Sequence, residues 1–266
     1  MWQRSRTPRK RTSGASTQRP ELSRCAKAAM LTQRNGSLQL RSKPRSPGVT
    51  TQSSVAICLN NLAELYRGQG RYVDAELLYR RALVILEKSY GSDHPKVGAT
   101  LNNLGMLYKN QRLYALTEPF YQRAIAVRTK ALGADHPTVA ASLNNLASLR
   151  HAQGVHWEAE RLYQRALTIT EKTFGQDHQP LATILNNLAL IAEEQGRYVE
   201  AKFHYQRSLA IMEKVSGSDP LYLATSLENY AGLCRRMAQP VEANLLEARA
   251  MAIRAKYTGE MQAKLR

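Results

Sequence analysis

The chain is poor in the features that mark an enzyme or a membrane protein. No stretch of about 18 apolar residues occurs, so no membrane-spanning helix is expected. There is no phosphate-cradling Gly-x-x-x-x-Gly-Lys-Ser/Thr, no His-Glu-x-x-His, no Gly-x-Ser-x-Gly and no Cys-x-x-Cys. Cysteine is scarce: Cys25, Cys58 and Cys234 are the only three in 266 residues and have neither metal nor redox spacing. They are expected to be small buried residues in a reducing compartment, and Cys58 and Cys234 lie too far apart in the repeat order to pair. Acid is almost missing from one region. Residues 1–50 hold twelve Lys/Arg against Glu21 alone, a charge of +11, whereas residues 51–266 hold 26 Lys/Arg and 20 Asp/Glu, a charge of +6.

That basic segment has little periodic apolar content and is expected to be disordered. Arg9-Lys10-Arg11 fits a nuclear-import or nucleic-acid patch, the Arg/Ser-rich composition fits an organelle transit peptide, and Met30 offers a later start. These readings stay open beside a plain solvated tail. No apolar core of 7–15 residues follows the N-terminus, so a secretory signal is not expected.

What is present is repetition. Leu59-Asn60-Asn61-Leu62-Ala63 returns at Leu101-Asn102-Asn103-Leu104-Gly105, Leu143-Asn144-Asn145-Leu146-Ala147 and Leu185-Asn186-Asn187-Leu188-Ala189, with a worn copy at Leu227-Glu228-Asn229-Tyr230-Ala231; each step is 42 residues. A period of this length defines a solenoid, whose units bury their apolar faces only against neighbours. Within one copy, Val55, Leu59, Leu62, Leu65 and Tyr66 form a helical stripe that stops at Gly68-Gln69-Gly70. A second stripe, Tyr72, Ala75, Leu78, Tyr79, Ala82, Leu83 and Leu86, stops at Gly91, before Asp93-His94-Pro95 opens the next helix. Each unit is therefore helix A, tight turn, helix B, capped loop. Small residues at the positions of Ala63 and Gly105 in helix A and of Ala75 and Ala82 in helix B alternate with large ones at the position of Tyr79 and Tyr121, which lets helices approach closely.

The order Leu59, Leu62, Ala63, Tyr66, Gly70, Tyr72, Ala75, Tyr79, Ala82 resembles the tetratricopeptide repeat. The Leu-Asn-Asn-Leu core, the period and the Gly-x-Asp-His-Pro loop are similar to the kinesin light chain subclass, without that protein's heptad coiled coil. The resemblance implies an all-α, right-handed superhelical solenoid of five helix-turn-helix repeats over residues 51–259, a basic tail at 1–50 and a short extension at 260–266. It also implies that helix A lines a concave groove.

On that basis Asn60, Asn102, Asn144 and Asn186 are expected to face the groove, where an amide can both donate to and accept from a peptide backbone. The second asparagines are assigned equally to the groove edge and to neighbouring repeats. Glu64, Arg67, Met106, Lys109 and His151 occupy the variable positions of the same face and are candidates for specificity. His94, His136 and His178 sit in successive loops and are expected to cap helices rather than share a metal. The expected function is a non-catalytic scaffold for a peptide or helix of a partner protein, with acidic ligands favoured near Arg67 and Lys109. No cofactor, metal or membrane partner is expected, and the location is cytoplasmic, or organellar or nuclear if the tail is a targeting segment. Two alternatives stand: an adaptor that reaches nucleic acid through its tail, and a regulatory fragment of a larger signalling protein.

Overall fold

A computed structural model describes residues 48–215 and 219–265. The basic segment up to residue 47, with Cys25, lies outside them. Among the described residues every regular element is a helix. Two compact units divide the chain between Ser92 and Asp93. The first holds α1 (Gly48–Gly68) and α2 (Tyr72–Tyr90). The second holds α3 (Pro95–Asn110), α4 (Tyr114–Leu132), α5 (Pro137–Ala152), α6 (His156–Phe174), α7 (Gln179–Glu194), α8 (Tyr198–Lys214), α9 (Pro220–Arg236) and α10 (Pro240–Leu265). Odd-numbered helices are the A helices of the repeats and even-numbered ones the B helices. The chain is an all-α solenoid of repeats, as the period requires.

The punctuation is local chemistry. Each A-to-B turn closes with a backbone bond that spans five residues: Arg71 N–H to Tyr66 O at 2.9 Å, Leu113 to Tyr108 at 2.9 Å, Val155 to Arg150 at 2.9 Å, Arg197 to Ala192 at 2.8 Å and Gln239 to Cys234 at 2.8 Å. This closure needs one left-handed residue. Glycine supplies it at Gly70, Gly154 and Gly196, while Arg112 and Ala238 adopt φ of 59° and 57° at the same position. Loop histidines start two of the A helices: His94 Nδ1 accepts from Lys96 N–H and His136 Nδ1 from Thr138 N–H, both at 3.2 Å. His178 makes no such cap and instead stacks on Phe174 at 4.3 Å between ring centroids. Proline stands one residue later in that copy, at Pro180.

In the second unit each A helix packs on its own B helix, and each B helix packs on the following A helix. Successive A helices also touch one another, whereas no two B helices do among the described residues. The A helices therefore crowd the inner side of this stack. Its core is a column of repeated knobs and notches: Tyr121, Tyr163 and Tyr205 are fully or almost fully buried, as are Ala124, Ala166 and Ser208. The polar residues of the last repeat find partners. Glu247 pairs with Arg235, Arg249 with Glu213 and Arg254 with Glu228, each at 2.7 Å. Cys234 is buried with a free thiol. Cys58 is half-buried and disulfide-bonded, so the expectation of a buried, reduced cysteine is corrected there.

Candidate functional site

The inner face is built from the A-helix asparagines and the variable positions about one turn further on. Asn102 and Asn186 are buried, at 7% and 4% exposure, while Asn60 and Asn144 are half-buried. The structure gives the pairs a specific job. Asn145 Nδ2 donates to Asn102 Oδ1 at 3.0 Å, and Asn187 Nδ2 reaches Asn144 Oδ1 at 3.5 Å, the outer limit of a hydrogen bond. The second asparagine of one repeat thus bonds the first asparagine of the repeat before it. Asn102 Nδ2 also points at Met106 Sδ, at 3.7 Å. The series does not continue into the last repeat: Asn186 Oδ1, in the fourth, is buried without a hydrogen-bond partner.

The variable positions pair in the same direction. Lys109 Nζ bonds Ser148 Oγ of the next repeat, and burial pulls its pKa down. His151 Nε2 meets Glu194 Oε2 at 2.8 Å. Glu193, buried, accepts from Tyr205 OH at 3.0 Å and faces Arg236 Nε at 3.4 Å. Side chains at these variable positions are therefore engaged by neighbouring repeats. In the first unit, Arg67 and Glu64 form an ion pair within α1, and Glu64 also accepts from Tyr79 OH at 2.7 Å. The guanidinium beside Glu64 holds its carboxyl below the usual range. Of the residues singled out in the sequence, the structure brings together Asn102 with Met106, and Glu64 with Arg67. It joins Asn144 to Asn187, Lys109 to Ser148 and His151 to Glu194, partners that period alone does not name.

Between α5, the end of α6 and α7 lies a cavity of about 440 Å³. Apolar surface from Pro137, Ala141, Phe174 and Ile184 lines it, together with Asn144 and Asn145. Those two amides spend one atom each on the inter-repeat bonds. The other two, Asn144 Nδ2 and Asn145 Oδ1, form one donor and one acceptor at the cavity. Sequence spacing signalled the asparagines but not the cavity, whose lining comes from three different helices.

A stack of helix pairs with its A helices crowded on one side is a repeat scaffold, the class of protein that holds other proteins. The tetratricopeptide repeat model matches residues 54–113, 99–172 and 180–256, and the chain belongs to that family. No curated protein matches it in sequence. Among solved structures it is similar to BtubC (BKLC) from P. vanneervenii, with 22% identity and a TM-score of 0.71 over 90% of this chain and 91% of that one. It is also similar to a candidate kinesin light chain of Podosopora anserina with nearly identical TPR-like repeats: 25% identity, TM-score 0.61, 77% of this chain and 97% of that one. Pseudomonas aeruginosa pilF shares the fold at 18% identity and a TM-score of 0.56, over 76% of this chain and 78% of that one. The repeats are kinesin light chain-like. Among the described residues no helix is long and apolar enough to cross a membrane.

Proposed function

We propose that this chain is a non-catalytic scaffold that holds an extended segment of a partner protein against the A helices, with an apolar side chain of that segment seated beside Asn144 and Asn145. The observation that carries this reading is the cavity of about 440 Å³ with one amide donor and one amide acceptor at its wall. An extended peptide presents one N–H and one C=O per residue, and a cavity of this size accepts a large apolar side chain. Recognition rests on the cavity more than on charge. Arg67 is ion-paired with Glu64, so an acidic ligand gains little there, whereas Lys109 donates to a neutral hydroxyl, Ser148 Oγ, which leaves its charge uncompensated by that bond. The nucleic-acid alternative rests on the basic tail, and the partners of Arg67 and Lys109 do not bear on it.

The test uses a display library of random extended peptides selected on the full chain, with affinities read by fluorescence polarisation. Ala141 lines the cavity and is exposed. Ala141→Trp fills the space from outside the core and should abolish binding of the selected peptides while leaving the melting temperature unchanged. Peptides that bind this variant as well as the parent chain would show that the cavity is not the site.

A further inference from the structure

Three side chains, each peculiar to its own copy of the repeat, meet at one point. At the position of Arg67, Lys109, Glu193 and Arg235, the third repeat has His151. At the first position of helix B, where three other copies have Tyr72, Tyr114 and Tyr198, it has His156. At the position of Gly68, Asn110 and Ala152, the fourth repeat has Glu194. His151 stands in the last turn of α5, His156 opens α6, and Glu194 closes α7. One donor atom from each lies within 4.8 Å of the others.

The geometry points to a binding site for a first-row divalent metal ion of the zinc class, formed by His151, His156 and Glu194. Two imidazoles and one carboxylate are a donor set that such ions favour, and three protein donors leave a fourth tetrahedral position for water or a partner's side chain. At metal–ligand distances of about 2.0–2.2 Å, tetrahedral donors stand about 3.3 Å apart. The structure holds His151 Nε2 at 2.8 Å and His156 Nδ1 at 3.4 Å from the same carboxylate oxygen, Glu194 Oε2. His156 Nδ1 is shielded from solvent and has no hydrogen-bond partner, so this nitrogen faces the cluster with its bonding capacity unspent. The two rings stand 5.6 Å apart at 59°, which leaves room for an ion between their edges. The three donors already lie within 4.8 Å of one another, close to the spacing that a shared ion requires. A bound ion would clip the turn of the third repeat to helix A of the fourth.

The experiment titrates the full chain, without an affinity tag and stripped of metal by chelation, with Co²⁺ and then with Zn²⁺. One equivalent of Co²⁺ should give the intense visible bands of a tetrahedral site, Zn²⁺ should displace it, and Zn²⁺ should raise the melting temperature. The variants His156→Tyr and Glu194→Asn restore residues that other copies carry, so the array should fold as before, with a metal-free melting temperature close to that of the parent. Each should weaken Co²⁺ binding by about tenfold or more. Absence of a saturable Co²⁺ signal would overturn the assignment. So would a signal that both variants leave unchanged, since the ion would then sit on other histidines.

Discussion

A methyl group on Gly105 would lie 2.4 Å from Cε1 of Tyr121. The ring occupies the space where the other repeats keep the methyl of Ala63, Ala147, Ala189 or Ala231, and it is fully buried there. Gly105→Ala should therefore destabilise the array by about 1–3 kcal/mol through overpacking, although alanine is the better helix former. Tyr121→Ala should cost about 3–5 kcal/mol, and Ala124→Leu about 1–3 kcal/mol. Urea melts of the three variants check this ranking; a neutral Gly105→Ala would mean that the ring sits elsewhere.

Arg112 and Ala238 occupy the left-handed turn position that glycine fills in three other copies. A side chain there costs about 1–2 kcal/mol, part of which glycine gives back through the entropy of the unfolded chain. Arg112→Gly should gain about 1 kcal/mol, and Gly154→Arg should lose a similar amount. Thermal melts of the two variants should move in opposite directions.

The asparagine rung between the second and third repeats makes a pairwise prediction. Asn102→Ala leaves the half-buried amide of Asn145 short of its acceptor and should cost about 0.5–1.5 kcal/mol. In a double-mutant cycle with Asn145→Ala, the coupling energy should come out at about 0.5–1.5 kcal/mol. Zero coupling would mean that the rung does not form in solution.

His204 is buried with Nδ1 unpartnered. Burial lowers its pKa, against an opposing pull from Glu200. Below the usual imidazole value of about 6.5, the unfolded chain takes up the proton before the folded one does. Stability from this site is therefore complete above about pH 6.5 and falls as the pH drops through the folded value. His204→Leu installs what Leu162 and Leu246 supply at the same position in their repeats. It should raise stability by about 1 kcal/mol or more near neutrality, and by more at pH 5. Equal gains at pH 5 and pH 8 would contradict the linkage.

The fold was legible because five copies agree in register: each helix stripe recurs in all of them, the large residue at the position of Tyr79 in four and the turn glycine in three. The loop histidines were legible for the same reason at His94 and His136, and His178 escaped because Pro180 is shifted by one. The site was legible in part. Equivalent positions announce themselves by period, yet their partners lie at separations such as 43 residues for Asn102 with Asn145 and for His151 with Glu194. That extra residue expresses the tilt between neighbouring A helices, a quantity no single repeat encodes. Arg128 makes the same point. It occupies the position of Leu86 and Met212, yet it is buried and donates to Thr138 O at 2.9 Å and Ser142 Oγ at 2.6 Å in the next repeat. The cluster of His151, His156 and Glu194 draws on three different positions in two repeats, so a search for donors at one period passes over it.

The rung from Asn145 to Asn102 uses residues that four of the copies carry, and so any such copy could stand beside any other. Duplication or loss of one 42-residue block would leave a well-formed joint. The contact of His151 with Glu194 has no such freedom, because it exists only when the third copy precedes the fourth. The first kind of joint lets an array change length over evolutionary time, and the second records an order. A shuffled chain would keep its fold and lose its address.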